Sequence, residues 1–197
     1  MKKSLTLLSV LLFCLILPAC NKPVDNNNGQ YSLKGGLSIT LPQEQFGNIR
    51  EVPLDNDAIL KQYQQIYPAV SKIETAMYDN FGAYNPLGFS YAYTKANTNI
   101  FETDTPFGFD NVQDITISGK NCKRSETLDR EMNRILTMVS CKHGRQSWDI
   151  FFQTFLPPQD TSNSPQQNKQ TVMQVAQDIK LASQAILDNA INSIQII

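Results

Sequence analysis

The first twenty residues decide which part of the chain folds as a domain and in which compartment it folds. Lys2 and Lys3 precede an apolar run from Leu5 to Leu17, which is shorter than the roughly 20 apolar residues that a membrane-spanning helix requires. A charged start, a short apolar run and small residues after it are typical of a cleaved secretion signal. We therefore predict that residues 1–19 are removed and that the remaining 178 residues fold outside the cytoplasm.

The signal ends in Leu17-Pro18-Ala19-Cys20, which resembles the lipobox of bacterial lipoproteins. The resemblance implies cleavage before Cys20, followed by acylation of its thiol and amine. Three acyl chains would hold the protein at a membrane permanently, since two lipid signals already suffice. Asn21 implies sorting to the outer membrane, with the domain facing the periplasm. The alternative is an ordinary signal that has a cysteine beside its cleavage site.

Charge and length limit the partners and the architecture of the mature chain. Without Lys2 and Lys3, 15 basic residues stand against 18 acidic residues. Such a chain lacks the positive charge that neutralises phosphates, so we expect no nucleic-acid partner. A chain of this length buries about 70% of its unfolded surface in one domain. We divide it into the signal 1–19, a lipidated cysteine with a polar tether 20–30, and one domain 31–197.

Two cysteines, Cys122 and Cys141, remain after Cys20 and the signal are set aside. In an oxidising compartment a single pair most often forms a disulfide, which contributes about 3 kcal/mol in the chain-entropy model. The alternative is a catalytic Cys141 with His143 as its base, both on one face of a strand. The two interpretations exclude each other, because a paired cysteine is not a nucleophile.

Apolar spacing predicts the elements of the N-terminal half. Residues 37–41 alternate between apolar and polar, which indicates a strand that ends at Pro42. From Asp55 to Phe81 apolar residues recur at three- and four-residue steps, which predicts one long helix that Asp55 or Asp57 caps and that Pro68 kinks or splits.

The second half predicts a meander of strands followed by a helix. The strand segments are 89–94, 115–117, 134–141 and 148–155. A hairpin signal lies at 142–145, and Trp148, Ile150 and Phe152 share one face of a central strand. An apolar stripe from Val172 to Ile197 predicts a C-terminal amphipathic helix. The predicted class is α+β, an antiparallel β-sheet packed by a long N-terminal-half helix and the C-terminal helix.

Two stretches resemble the DcrB-like envelope lipoproteins, which share the PsbP-like α/β/α fold. One is Leu33–Pro42, a strand that ends in Leu-Pro shortly after the tether. The other runs from Ile115 through a strand closing at Leu156-Pro157 to a helix that finishes at 190–194. The resemblance implies an antiparallel sheet with helices on its faces. It transfers no catalytic residues, because that family has no shared active site.

The loop 97–111 holds the candidate contact residues Phe101, Phe107 and Phe109. Such side chains either pack under their loop as a small cluster or form an exposed patch that meets a partner or a membrane. The chain has no Gly-rich phosphate loop and no serine elbow, and one histidine does not build a typical zinc site. We therefore predict neither a cofactor nor a metal, and we expect His143 to be exposed.

Three functions are compatible with these patterns. The first is a non-enzymatic membrane-anchored lipoprotein that contacts envelope proteins in assembly or maintenance. The second is a binding module for a small apolar or lipid ligand, which calls for an enclosed cavity beneath the C-terminal helix. The third is an envelope hydrolase with an unrecognised site, which calls for a cleft with converging carboxylates.

Overall fold

Strands dominate the described part of the chain. The computed structural model describes residues 22–23, 29–80, 87–101, 112–129, 134–156 and 181–197. The strands are β1 (Lys22–Pro23), β2 (Gln30–Leu33), β3 (Leu37–Thr40), β4 (Arg50–Val52), β5 (Ile73–Asp79), β6 (Leu87–Ala96), β7 (Gln113–Ile117), β8 (Lys120–Asp129), β9 (Arg134–His143), β10 (Gln146–Phe155) and β11 (Gln195–Ile196). The helices are α1 (Gln43–Phe46), α2 (Asn56–Ile66) and the helical residues 181–192, called α3.

The described strands form two antiparallel sheets. The large sheet has the order β1-β4-β5-β6-β10-β9-β8-β7, and the small sheet has the order β11-β3-β2. Every neighbouring pair runs antiparallel, which confirms the predicted sheet type. Strand β10 lies between β6 and β9, as the apolar residues on both of its faces predict.

The inner face of the large sheet carries the core. Trp148, Ile150 and Phe152 are fully buried there, which confirms that they share a face. They pack with Phe89 and Tyr91 of β6, with Tyr31, Leu37 and Ile39 of the small sheet, and with Leu187 and Ile191 of α3. The indole nitrogen of Trp148 donates to the carbonyl of Gly35 over 2.9 Å, so the turn between β2 and β3 is fixed to the large sheet.

Helix α2 packs on the other face, called the outer face. Asp55 caps the helix, as predicted, because its carboxylate accepts from the amides of Asp57 and Ala58 over 3.1 and 3.0 Å. Ile59 is its buried residue, and the Tyr63 hydroxyl bonds to Thr94 on β6. Within the described ranges the outer face thus meets one short helix, and it is more polar than the inner face.

The predicted helix from Asp55 to Phe81 is wrong beyond its first eleven residues. Helix α2 ends at Ile66, and Ile73–Asp79 is strand β5. A proline disfavours helical geometry in the residue before it, so the helix cannot run past Tyr67 into Pro68. The four-residue step from Ile73 to Met77 also fits a strand, because residues separated by an even number share a face.

The predicted C-terminal helix also ends earlier than its apolar stripe suggests. Residues 181–192 are helical and bury Leu187, Ala190 and Ile191, whereas Ile197, the last residue of the predicted stripe, is exposed. The chain then turns, and Gln195–Ile196 pairs with β3 as strand β11. Ile196 is therefore buried by strand pairing rather than by helix packing. The predicted start of this helix lies outside the described residues.

Candidate functional site

The cysteine pair lies where two long strands of the large sheet face each other. Cys122 on β8 is directly opposite Cys141 on β9, and the two form a disulfide with a Cα–Cα separation of 4.3 Å. Both residues are buried. The predicted pairing is confirmed, and it removes the thiol that a catalytic Cys141 requires. His143, at the end of β9, is exposed as predicted.

Of the three candidate contact residues, Phe101 alone lies in the described ranges. It is half-buried, and its ring meets the Tyr63 ring edge-on at a centroid separation of 6.3 Å. Its amide donates to the carbonyl of Gly144 over 3.1 Å, which holds it at the β9–β10 turn. Phe101 therefore packs against α2. Phe107 and Phe109 lie outside the described residues, so a patch formed by all three stays a prediction.

The anchor residue Cys20 also lies outside the described residues, so its acylation stays a prediction. Two residues further on, Lys22 and Pro23 pair with Glu51 and Arg50 of β4. This pair falls within the segment predicted as a tether. The described chain therefore begins at one edge of the large sheet.

A cleft of about 310 Å³ lies beside this same edge. It is lined by Lys34, Glu51, Val52, Pro53, Leu54, Asn56, Thr75 and Ala76. These residues come from the β2–β3 turn, from β4 and the chain that leaves it, from the start of α2 and from β5. The cleft is a groove along a strand edge and does not lie beneath α3.

The groove exists because β4 ends before β5 does. Val52 forms the last pair of the β4–β5 ladder, with Met77, and the chain then leaves through Pro53 towards the start of α2. The next stretch of β5, residues 73–76, therefore has β6 on one side and the groove on the other. Asn56, at the start of α2, hydrogen-bonds to the Thr75 hydroxyl and closes the groove on the outer face.

Hydrogen bonds at both ends of β5 show which main-chain groups face the groove. The amide of Asn97 donates to the carbonyl of Lys72 over 3.1 Å, and the amide of Asn80 donates to Phe89 over 3.2 Å. In an antiparallel ladder the bonding direction alternates along a strand. Even-numbered residues of β5 therefore bond to β6, whereas Ile73 and Thr75 point their amides and carbonyls into the groove. In the described part of the chain these groups have no main-chain partner.

Two buried tyrosines hold one wall of the groove. The Tyr91 hydroxyl donates to the carbonyl of Lys34 over 2.7 Å, and the amide of Lys34 approaches the Tyr78 hydroxyl oxygen at 3.4 Å. Burial raises the pKa of Tyr78 and of Tyr91, so both hydroxyls stay protonated at neutral pH. The charged side chains of Lys34 and Glu51 are exposed at the groove, and neither forms an ion pair with a described residue.

A second polar group lies on the outer face near α2. The hydroxyls of Ser140 and Ser147 both donate to the Asp149 carboxylate, the latter over 2.8 Å. Burial raises the pKa of the neighbouring Tyr63 to about 12, although its hydrogen bond to Thr94 lowers it. Each oxygen of the Asp149 carboxylate accepts a hydroxyl from a serine of the large sheet. The described residues bring together no three His, Cys, Asp or Glu side chains as metal ligands.

The comparisons with known proteins add no family. No protein-family model, no curated protein and no solved structure matches the chain. The resemblance to the DcrB-like lipoproteins therefore stays a prediction. Among the described residues, no helix combines the length and apolarity that a membrane span requires.

The groove is the feature that sequence reasoning missed, since residues 73–76 were assigned to a helix. One signal was present, because Pro68 separates the helical pattern from a segment that contains the β-branched residues Ile73 and Thr75.

Proposed function

We propose that this chain is a lipid-anchored envelope protein whose domain makes non-enzymatic contacts with other envelope proteins, in assembly or maintenance. Its anchor is Cys20, acylated after removal of the signal, and its place is the periplasmic side of the outer membrane. The buried Cys122–Cys141 disulfide supports folding in an oxidising compartment.

The observation that carries the proposed contact is the groove with its unpaired edge of β5. An extended peptide binds such an edge by adding a strand, with affinity from main-chain hydrogen bonds and specificity from side-chain pockets. Ile73 and Thr75 offer these groups, and Lys34 and Glu51 offer charges of both signs nearby. The mixed polarity suits a peptide better than an apolar ligand.

The position of the groove supports a partner located at the membrane. Two extended residues span at most about 7 Å, so an acyl group on Cys20 would be attached close to Lys22. Lys22 belongs to β1, which pairs with β4, and the chain that leaves β4 forms a wall of the groove. The lipid would therefore hold the groove near the bilayer surface, within reach of segments of other anchored proteins.

The anchor is tested by replacing Cys20 with serine in the full chain. We expect the wild type to incorporate a fatty-acid analogue and to sediment with membranes, and the Cys20→Ser chain to do neither. A Cys20→Ser chain that is processed and still sediments with membranes contradicts the anchor.

The groove is tested in intact cells with a photoreactive amino acid at Pro53, which is exposed and lines the groove. The matched control carries it at Lys61, which is exposed on α2 and does not line the groove. We expect one discrete protein adduct from position 53 and none from position 61. Equal adducts from both positions contradict the proposal, and an adduct with lipid alone favours the ligand-binding alternative.

A second pair of variants tests whether the contact is made by the strand edge itself. Ile73→Pro removes an amide that points into the groove and leaves the β5–β6 ladder intact, whereas Ile73→Val keeps that amide. In the background of the position-53 probe, we expect Ile73→Pro to abolish the protein adduct and Ile73→Val to retain it. An adduct that survives Ile73→Pro shows that the partner does not pair with β5.

A further inference from the structure

The opposite end of the large sheet is formed by β7, which among the described strands pairs with β8 alone. Gln113, Asp114 and Thr116 on this strand are exposed. On its far side the described part of the chain places no strand. The main-chain groups that point to this far side decide what the strand can bind.

The geometry of the disulfide shows in which direction the main-chain amides and carbonyls of β7 point. A Cα–Cα separation of 4.3 Å between opposite residues is typical of a non-hydrogen-bonded antiparallel pair, for which about 4.5 Å is expected. Cys122 therefore does not exchange main-chain hydrogen bonds with Cys141, and its amide and carbonyl point towards β7. Its partner there is Ile115. The bonding direction alternates, so Ile115 bonds to β8 while Asp114 and Thr116 point outwards.

The turn between β7 and β8 gives the same answer independently. Ser118 and Gly119 have φ angles of 50° and 75°, as in a two-residue hairpin turn of type I′. The residues that close such a hairpin, Ile117 and Lys120, exchange main-chain hydrogen bonds. Counting back from Ile117, the amides and carbonyls of Asp114 and Thr116 again point outwards. No main-chain partner for them lies within the described ranges.

This edge carries little of the protection that proteins usually give to an open strand. Edge strands are commonly guarded by proline, by lysine or by an unpaired charge. Strand β7 contains no proline and no lysine. Its one charged residue, Asp114, has its carboxylate 2.8 Å from the ammonium of Lys123, so the charge is locally balanced.

We infer that β7 pairs antiparallel with β7 of a second copy of this chain, about a two-fold axis at Ile115. In this register Asp114 lies opposite Thr116 of the second copy, and the reverse pair forms by symmetry. The outward-pointing amides and carbonyls of Asp114 and Thr116 are then all hydrogen-bonded in both copies. An axis at Asp114 would place two carboxylates opposite each other, and an axis at Thr116 would require pairing by Ser118 in the turn.

The inferred dimer joins two large sheets into one continuous sheet, and it does not depend on the lipid anchor. Ile115 of each copy would meet the other at a non-hydrogen-bonded position, where side chains approach most closely. In the joined sheet Asp114 would lie between Lys123 of its own chain and Thr116 of the second copy. Its carboxylate would therefore have a positive charge on one side and a neutral residue on the other.

Paired cysteine variants of the full-length protein test the register. One chain carries Asp114→Cys and a second, with a different tag, carries Thr116→Cys, and both are expressed in the same cells. Directly opposite residues in a hydrogen-bonded pair lie about 5.5 Å apart, within reach of a disulfide. After mild oxidation of membranes we expect a disulfide-linked dimer that contains both tags.

Each variant expressed alone is the matched control. The same position in the two copies is a diagonal neighbour at about 7–8 Å, beyond the reach of a disulfide. We therefore expect little linked dimer from either single variant. Absence of the mixed dimer, or equal linkage in the single variants, overturns the inference.

The variant Thr116→Pro tests the main-chain contact without added cysteines. Proline removes an amide that points outwards and leaves the β7–β8 ladder bonds in place, whereas Thr116→Val keeps the amide. Sedimentation of the detergent-solubilised protein should show dimer for the wild type and Thr116→Val and monomer for Thr116→Pro. A wild type that is monomeric, or a Thr116→Pro variant that remains a dimer while folded, contradicts the pairing.

Discussion

The two ends of the large sheet are finished in different ways. At one end β1 pairs with β4, that strand ends at Val52, and Asn56 of α2 covers part of the β5 edge. At the other end β7 is held by β8 alone within the described ranges, and a disulfide joins β8 to β9. At the first end, other segments of the chain cover part of the β5 edge and leave a groove. At the second end, the described residues leave the β7 edge open, and the disulfide joins the next two strands of the sheet. The contact proposed at the first end would be made inside a groove, whereas the contact inferred at the second end would be made on an open strand edge.

Removing the disulfide tests how far the β7 end depends on it. The double variant Cys122→Ser/Cys141→Ser should lose about 3 kcal/mol in the free energy of unfolding, because the unfolded chain is no longer constrained. Denaturant titration measures this loss, and hydrogen exchange should accelerate in β7 and β8 more than in β5. Wild type in reductant is the control. An unchanged unfolding midpoint, or equal acceleration at both ends, removes the proposed asymmetry.

Part of the β7 end was predictable from sequence, although the strand β8 that pairs with β7 was not predicted. Ile115 and Ile117 alternate with polar residues, two cysteines remain after the signal, and a hairpin signal follows Cys141. These are local patterns, and each indicates one structure. The pairing direction of Asp114 and Thr116 was not predictable, because it depends on the partner strand β8, in which apolar and polar residues do not alternate.

The β5 end was not predictable by the same reasoning. Ile73 and Met77 are four residues apart, which satisfies a helix and a strand equally. Burial continues on both faces of β5, so apolar and polar residues do not alternate and the strand signature is lost. The groove then follows from where β4 ends, a tertiary property that residues 73–76 do not encode.

Two glycines in hairpin turns sharpen the comparison between a packed turn and an open one. Gly35 and Gly119 both have positive φ, at 82° and 75°. A Cβ at Gly35 would overlap the Tyr93 ring, whereas a Cβ at Gly119 would meet nothing within 4 Å. We expect Gly35→Ala to lose about 2–3 kcal/mol from strain and overlap, and Gly119→Ala to lose about 1 kcal/mol from strain alone. Thermal unfolding measures both, and equal losses contradict the packing of the β2–β3 turn.

The cap of α2 tests whether the helix protects the β5 edge. Asp55→Ala should lose about 1 kcal/mol, because two amides of the first turn lose their acceptor. Asp55→Asn keeps an acceptor oxygen and is the matched control. Hydrogen exchange at Ala76, whose amide bonds to β6, should accelerate in the alanine variant more than in the asparagine variant. If both variants behave alike, the charge of Asp55 matters rather than its cap.

The ion pairs at the two ends give the smallest expected effect. Asp114 is mostly exposed and bonds Lys123 at 2.8 Å, whereas the buried Asp79 on β5 bonds the half-exposed Arg50 at 3.1 Å. Water and salt screen the first pair, so Asp114→Asn should change the free energy of unfolding by less than about 0.5 kcal/mol. Asp79→Asn should lower the free energy of unfolding by more, because the Asp79 carboxylate is buried and its loss leaves the Arg50 guanidinium without this ion-pair partner. The inferred dimer is bonded through main-chain groups, so Asp114→Asn should also leave its sedimentation unchanged. If Asp114→Asn dissociates the dimer, the β7 contact depends on the charge of Asp114 and not on main-chain pairing alone. The two ends would then both depend on an ion pair.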